Sequence, residues 1–147
     1  MALIRPLKLL LVEDNDDHAK LIIETIQGIS SEHSVKRVSD GEEALSYLSS
    51  AAKSPHEWPD LMMLDLKMPR LNGLETLTEI RLQAPSSLLP VVIVSTSGSR
   101  KEIQDAFDQG ANSYLIKPLH FTELTSMIRD FVHYWSSVSE TPGIRLE

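Results

Sequence analysis

The 147-residue sequence contains no cysteine, so neither a disulfide framework nor a thiolate metal site is possible. No apolar run approaches the roughly 20 residues that a membrane span requires, and the first six residues are too few for a signal peptide. Acidic residues outnumber basic ones, and the net charge of −7 argues against a protein that binds nucleic-acid backbones. These absences predict a soluble cytoplasmic protein without a membrane or nucleic-acid partner.

The length is typical of a single domain, and no repeat, low-complexity segment or internal linker divides the chain. A folded domain is expected over residues 1–135. Residues 136–147 are polar and contain a proline, which is typical of a tail that is disordered in part.

Four short apolar runs are present, and a reactive polar residue follows each of them. The runs cover residues 9–12, 61–64, 91–94 and 114–116, and they lead into Glu13 and Asp14, Asp65, Ser95 and Lys117. Such runs, separated by helical stretches, are typical of buried strands in a parallel sheet. The carboxyl ends of parallel strands share one edge, where ligands bind. We therefore expect these polar side chains to converge on one site.

Helical patterns lie between the runs. Apolar residues follow the spacing i, i+3, i+4, i+7 after the first strand, and a further short strand is expected over Ser34–Val38. Asp40 has the pattern of a helix N-cap and Gly110 that of a C-cap, and a last helix is expected from about Phe121 to Trp135. Five successive β–α units predict a doubly wound α/β fold with helices on both faces.

The pattern alone does not order the strands. If strands one and three are neighbours, as in the order 2-1-3-4-5, Asp14 and Asp65 lie side by side. Two carboxylates about 4 Å apart repel by roughly 4 kcal/mol at an effective dielectric near 20, and Mg²⁺ would remove that penalty. Taken singly, an Asp here is often an N-cap, a Lys a surface residue and a Ser a turn hydroxyl. Their shared placement at strand ends favours a site.

Several motifs occur in a fixed order over about residues 7–135. They are Leu11-Val12-Glu13-Asp14-Asn15, Asp65-Leu66-Lys67-Met68-Pro69 with Gly73 eight residues after the aspartate, Ser95-Thr96, and Gly110-Ala111 leading to Tyr114 and Lys117-Pro118. With these motifs the chain resembles the receiver domain of two-component response regulators. The resemblance implies a flavodoxin-like fold, with a five-stranded parallel sheet in the order 2-1-3-4-5 and five helices.

The resemblance also implies a role for each residue of the site. Asp65 would be the phosphoacceptor, Lys117 would pair with phosphoryl oxygens, Ser95 would donate its hydroxyl to them, and Tyr114 would be the rotamer switch. Mg²⁺ would be held by Asp14, Asp65 and the backbone carbonyl of Lys67, with Glu13 acting through water. A cis bond before Pro118 would aim Lys117 inward, and the Lys67 side chain would tune the lifetime of the phosphoryl group.

The expected phosphodonor is a sensor histidine kinase, with a histidine phosphotransfer protein or acetyl phosphate as other sources. The aromatic end of the last helix is similar to small regulators that partner phytochrome-type kinases. No effector domain is expected, so the output would be a partner protein or the association state. Receivers commonly dimerise through helix four, strand five and helix five. The last helix carries a wide apolar arc, which is either a packed core face or an exposed dimer strip; it consists of Leu124, Met127, Ile128, Phe131, Val132, Tyr134, Trp135 and Val138.

Other functions stay open at this point. The chain could be an intermediate of a phosphorelay, a phosphate sink, or a pseudo-receiver that only binds partners, although pseudo-receivers typically lack the phosphoacceptor or the lysine. A phosphatase of the haloacid-dehalogenase type would need a second aspartate where Lys67 stands. A flavin-binding loop would not be acidic, as residues 13–17 are.

Overall fold

The structure, a computed structural model, describes residues 5–143. Five strands alternate with five α-helices: β1 Lys8–Val12, α1 Asp16–Ile29, β2 Ser34–Val38, α2 Gly41–Ala51, β3 Leu61–Leu64, α3 Gly73–Leu82, β4 Val91–Ser95, α4 Arg100–Asp108, β5 Ser113–Ile116 and α5 Phe121–His133. Single 3₁₀ turns at Pro55–Glu57 and Ser86–Leu88 precede β3 and β4, and a π-helical turn at Tyr134–Val138 continues α5.

The strands form one parallel sheet in the order β2-β1-β3-β4-β5. The α/β doubly wound fold and the strand order expected from the resemblance are therefore confirmed. Because β1 and β3 are neighbours, with Val12 opposite Leu64, the residues that follow them emerge side by side. On the other side, Leu64 pairs with Ile93 of β4 and Ser95 with Ile116 of β5.

Alternation along the strands divides the core between the two faces of the sheet. Leu10 and Val12 of β1 pack with apolar residues of α2, α3 and α4, whereas Leu9 and Leu11 pack with those of α1 and α5. Every residue of β3 and β4 is buried. A parallel sheet covered by helices on both faces requires strands of this continuous apolar kind.

The helix boundaries follow from local capping. The Oδ1 atoms of Asp40 and Asn72 accept from the backbone N–H groups of Glu43 and Glu75, which starts α2 and α3. Gly110 follows α4 with a φ of 105°, the left-handed conformation expected of a C-capping glycine. The predicted N-cap at Asp40 and the predicted glycine after helix four are both confirmed.

Gly73 lets the start of α3 approach the end of β3 closely. A Cβ atom on Gly73 would lie 2.4 Å from the backbone oxygen of Asp65 and 2.6 Å from the Cα of Leu66. Instead the N–H of Gly73 donates to the carbonyl of Leu66 at 3.0 Å. Glycine at this position therefore sets the backbone that carries Asp65.

The apolar arc of the last helix is used mainly for the core. Its buried members are Leu124, Ile128, Phe131 and Val132, which pack with α1 and the sheet, while Met127 and Trp135 are partly buried. Only Tyr134 and Val138 of the predicted arc are strongly exposed. Ser136, placed in the predicted tail, is buried, and its carbonyl accepts from the N–H of Arg5 at 2.9 Å.

Candidate functional site: an acidic cluster at the carboxyl edge

The polar residues that follow the strands lie at one edge of the sheet. Glu13 continues β1 and its N–H donates to the carbonyl of Val38 at 3.1 Å, while the N–H of Asp65 donates to that of Val12 at 3.1 Å. The N–H of Lys117 donates to the carbonyl of Ser95 at 2.7 Å and prolongs the β4–β5 ladder. The sheet itself thus fixes the backbone under each side chain.

Three carboxylates of this edge form a cluster. Oxygen atoms of Glu13, Asp14 and Asp65 all lie within 4.8 Å of one another. Glu13 is 1% exposed and Asp65 is 8% exposed, whereas Asp14 lies open to solvent. The sequence-based expectation that Asp14 and Asp65 are neighbours agrees with this arrangement. The cluster is closed towards the core and open on the Asp14 side.

Burial and the neighbouring negative charge change the ionisation of Glu13. The pKa of Glu13 is raised to about 7, chiefly by burial and also by the nearby Asp65 carboxylate, while Lys117 opposes the rise. A carboxylic acid normally ionises near pH 4. In the metal-free protein the cluster therefore lacks the positive charge it would need to keep all three carboxylates ionised at no cost.

Lys117 is the cation nearest to the cluster. Its ammonium group is buried, bonds the Oε1 atom of Glu13 and lies 3.5 Å from the Oδ2 atom of Asp65. The third contact is with His18, whose Nδ1 atom is 3.2 Å from Nζ. A lysine ammonium has three hydrogens to donate, and three acceptors surround it here.

Two further predicted residues lie on the β4–β5 side of this edge. Ser95 is fully buried, and its hydroxyl oxygen accepts from the backbone N–H of Ser97 at 3.2 Å. Tyr114 packs against the core shared by α2, α3 and α4. Its hydroxyl donates to the carbonyl of Ser97 at 2.8 Å. Ser95 and Tyr114 therefore both bond the same residue of the loop after β4.

The peptide bond before Pro118 differs from the expectation. The cis proline bond of the described residues is Ala84–Pro85, at the opposite edge of the sheet, and Lys117–Pro118 is trans. The predicted cis bond is therefore wrong. Lys117 needs no such bond to reach the cluster, because its N–H already pairs with Ser95 and directs the side chain from the strand end.

Lys67 lies on the loop after β3, as its spacing from Asp65 requires. Its side chain is exposed, and its backbone N–H donates to the Oδ1 atom of Asp65 at 3.3 Å. This contact orients the Asp65 carboxylate.

Two residues of the site were missed by the sequence reasoning. His18, in the first turn of α1, contacts Lys117, and Arg37 of β2 donates from Nε and Nη2 to the carbonyl of Glu13 at 3.0 and 2.9 Å. The position of His18 one helical turn after Asp14 was an available signal. Arg37 carried none, because only the β1–β2 pairing brings it here.

The donor set suits a hard divalent cation. Carboxylate oxygens are the ligands that Mg²⁺ and Mn²⁺ prefer, and the exposed Asp14 leaves room for the waters that Mg²⁺ retains. A cation would also relieve the repulsion that raises the pKa of Glu13. The residues present therefore fit a divalent metal.

Comparison with known proteins agrees with this geometry. The family model of the response regulator receiver domain matches residues 9–129. The chain belongs to the response regulator receiver family, whose members are two-component signalling domains that accept phosphoryl groups from histidine kinases and bind a divalent metal at an acidic site. Within residues 5–143, no helix combines the length and the apolar character needed to cross a membrane.

Particular relatives cover almost the whole chain. The probable methanogenesis regulatory protein FilR2 of Methanothrix harundinacea is 34% identical over 138 residues, 94% of this chain and 89% of FilR2. The phosphorylated cyanobacterial phytochrome response regulator RcpA superposes with a TM-score of 0.87 at 33% identity, covering 94% of this chain and 99% of RcpA. The Mn²⁺-bound form of Rcp1 has a TM-score of 0.84 at 27% identity, with coverage of 94% and 100%; Rcp1 comes from a Synechocystis species.

Proposed function

We propose that Asp65 is the phosphoacceptor and that a sensor histidine kinase supplies the phosphoryl group in a Mg²⁺-dependent reaction. The observation that supports this most directly is the placement of Asp65 between two other carboxylates and the buried ammonium of Lys117. A carboxylate is a competent nucleophile for phosphorus. An Oδ atom of Asp65 forms the new O–P bond while the N–P bond of a phosphohistidine breaks, and the imidazole leaves with the bonding electrons.

The remaining work of the site is orientation and charge neutralisation. The Lys67 N–H holds Asp65 Oδ1, which leaves Oδ2, on the Lys117 side, for attack. The Lys117 ammonium is already aimed at Oδ2, so it can pass to a phosphoryl oxygen with little movement. Both contacts exist before any phosphoryl group is present.

The metal would be held by Asp14, Asp65 and the backbone carbonyl of Lys67, with Glu13 acting through water. When bound, Mg²⁺ would neutralise the carboxylate cluster and the developing charge on the phosphoryl oxygens. That Rcp1 is known in a Mn²⁺-bound form supports a divalent site of this kind. The Lys67 side chain, exposed beside the site, stays our predicted determinant of phosphoryl lifetime.

The signal would leave the site through Ser95 and Tyr114. The hydroxyl oxygen of Ser95 accepts a hydrogen bond from the N–H of Ser97. The hydroxyl hydrogen of Ser95 therefore stays available to a phosphoryl oxygen. A shift of the loop after β4 would then move the carbonyl to which Tyr114 is bonded. Driving the active population from about 1% to 99% needs roughly 5.5 kcal/mol, which a few charge-assisted hydrogen bonds can approach.

The output surface we propose is the face made by α4, β5 and α5. Large apolar side chains are exposed there: Phe107, Ile116, Leu119 and Phe121 are between 46% and 92% exposed. A second copy of the chain is our proposed occupant, as in the two-fold dimers that self-complementary patches form. The output would then be association rather than catalysis on an external substrate, and the protein would catalyse only its own phosphorylation and dephosphorylation.

The kinase partner is proposed from the relatives. RcpA is a phytochrome response regulator. RPA3017 of R. palustris is a response regulator in red light signalling, and its structure matches this chain with 33% identity and a TM-score of 0.78. A phytochrome-type histidine kinase is therefore our proposed partner, in the cytoplasm and without direct contact to nucleic acid. A relay role, with transfer onward to a histidine phosphotransfer protein, is the alternative.

Incubation with Mg²⁺ and acetyl phosphate tests phosphoacceptance by intact mass. We expect one added phosphoryl group on the wild type, none on Asp65→Asn, and the wild-type result on Asp108→Asn, which changes an exposed aspartate of α4. Labelling of Asp65→Asn to the wild-type extent would refute the assignment of Asp65.

Light scattering with beryllofluoride and Mg²⁺ tests the output surface. Beryllofluoride should shift the protein towards a dimer, and Leu119→Ser should weaken that dimer about tenfold. Leu82→Ser, at another strongly exposed apolar site on α3 away from this face, should leave the dimer unchanged. If Leu119→Ser does not weaken the dimer, the interface lies on another face.

A further inference from the structure

His18 contacts the site from the side of α1. Its Nδ1 atom lies 3.2 Å from the Nζ atom of Lys117 and 3.9 Å from the Oε1 atom of Glu13, and its side chain is 27% exposed. The backbone N–H of His18 donates to the Oδ1 atom of Asn15, the N-cap of α1, at 3.0 Å. The capped first turn therefore fixes where the imidazole stands, through a bond that does not involve the imidazole itself.

The chemistry of the contact determines the form of the imidazole. A lysine ammonium can only donate, so Nδ1 must carry a lone pair and the ring proton must sit on Nε2. Burial lowers the pKa of His18, and the charge of Lys117 lowers it further, which favours this neutral form.

The three hydrogens of the ammonium are distributed unequally. Lys117 bonds Glu13 tightly, contacts His18 at 3.2 Å and reaches Asp65 at 3.5 Å, the limit of a hydrogen bond. An incoming phosphoryl oxygen can replace the weakest of these contacts, the one to Asp65. The other two then decide where the ammonium points.

We propose that His18 is a positioning residue, which holds one N–H of Lys117 so that another stays aimed at the phosphoryl group on Asp65. The inference rests on the proposed role of Asp65. A neutral imidazole suits this task better than a carboxylate, because it accepts a hydrogen bond without adding a fourth negative charge beside the phosphoryl oxygens. A competing role, in which His18 draws Lys117 away from Asp65, predicts the opposite kinetic effect.

Two substitutions at this position separate the acceptor from the rest of the side chain. His18→Leu keeps much of the volume and removes the acceptor, whereas His18→Asn places an oxygen where Nδ1 stands. With acetyl phosphate and Mg²⁺ we expect phosphorylation of His18→Leu to be about tenfold slower than that of the wild type. His18→Asn should recover most of the rate. His133→Leu, an exposed histidine at the far end of α5, is the matched control and should react normally.

A spectroscopic measurement on the metal-free protein completes the test without phosphoryl chemistry. The ¹⁵N signals of His18 should show an unprotonated Nδ1 atom, and its resonance should move in Lys117→Met while that of His133 does not. A proton on Nδ1, a His18→Leu variant as fast as the wild type or faster, or a His18→Asn variant as slow as His18→Leu would overturn the inference alone. A wild type that accepts no phosphoryl group would overturn the proposed function and this inference with it.

Discussion

At the carboxyl edge of the sheet two of the three clustered carboxylates contact one buried ammonium, whereas at the amino edge one guanidinium is surrounded by neutral oxygens. Arg81, at the end of α3, donates to the carbonyls of Gly110 and Leu89 at 3.0 and 2.7 Å and to the side-chain oxygen of Asn112 at 2.8 Å. Its two remaining contacts are the carbonyls of Ser86 and Ser87.

The two edges use buried charge for different ends. The contacts of Arg81 join two loop segments, residues 86–89 and residues 110–112, so its charge holds these loops together. The carboxyl edge keeps an excess of negative charge, which adds to burial in raising the pKa of Glu13 and which a divalent cation can neutralise. The contacts of Arg81 need no ligand, whereas the carboxyl edge is completed by what binds there.

Removing the guanidinium should produce the largest loss of stability. Arg81→Ala removes the guanidinium donors of four backbone carbonyls and one side-chain oxygen, so we expect the free energy of unfolding to fall by about 3 to 4 kcal/mol. Urea titration measures this, and Arg129→Ala, an exposed arginine of α5, should change it by less than about 0.5 kcal/mol. The phosphorylation rate of the folded Arg81→Ala protein should match that of the wild type. A much slower rate would show that the two edges are coupled.

The ionisation of Glu13 at the carboxyl edge should lower the free energy of unfolding as the pH rises. In the metal-free protein the pKa of Glu13 is about 7, above its unfolded value of 4.5, so the folded state holds an extra proton between these values. The stability that this provides is present below pH 4.5 and is lost through pH 7. Between pH 5 and pH 8 the wild type should lose about 2 kcal/mol of stability relative to Glu13→Gln. Parallel curves for the two proteins would contradict a raised pKa of Glu13. Saturating Mg²⁺ should abolish the difference.

A change in the backbone under Asp65 should affect stability and function together. Gly73→Ala places a Cβ against the backbone of Asp65 and Leu66, which should cost about 2 kcal/mol and slow phosphorylation. Gly28→Ala is the matched control, because nothing lies within 4 Å of its Cβ position in α1. That control should stabilise the protein by up to about 1 kcal/mol and leave the rate unchanged. Equal effects of the two substitutions would exclude the close approach as their cause.

The amino edge should show a smaller pH effect of the opposite sign. His33 is buried, its Nδ1 atom accepts from the N–H of Leu7 at 3.0 Å, and burial lowers its pKa. A depressed histidine pKa means that the unfolded chain binds the proton first, so stability is lost as the pH falls below about 6.5. We expect the wild type to lose stability between pH 7 and pH 5.5 relative to His33→Asn, which keeps an acceptor at the Nδ1 position. If the stability of the two proteins changes equally with pH, His33 does not take up a proton on unfolding.

Much of the fold and the site could be predicted because the position of a residue along a strand determines the edge of the sheet at which it lies. Runs such as Leu61–Leu64 are long enough to span the sheet once, so the residue that follows each run must stand at the carboxyl edge. The pattern did not contain the strand order, which depends on how helices pack across the sheet, and the resemblance supplied it. The cis bond expected before Pro118 was wrong because the β4–β5 ladder already directs Lys117. His18 and Arg37 were missed because Lys117 and Glu13, which they contact, are distant from them in sequence.

The most direct test of the account locates the phosphoryl group chemically. The wild type is phosphorylated with acetyl phosphate and Mg²⁺, reduced with borohydride, which converts an aspartyl phosphate to homoserine, and sequenced by mass spectrometry. The assignment of Asp65 as the phosphoacceptor predicts homoserine at position 65 and nowhere else. Homoserine at position 14, or a phosphoryl group that survives reduction on a serine or histidine, would contradict it.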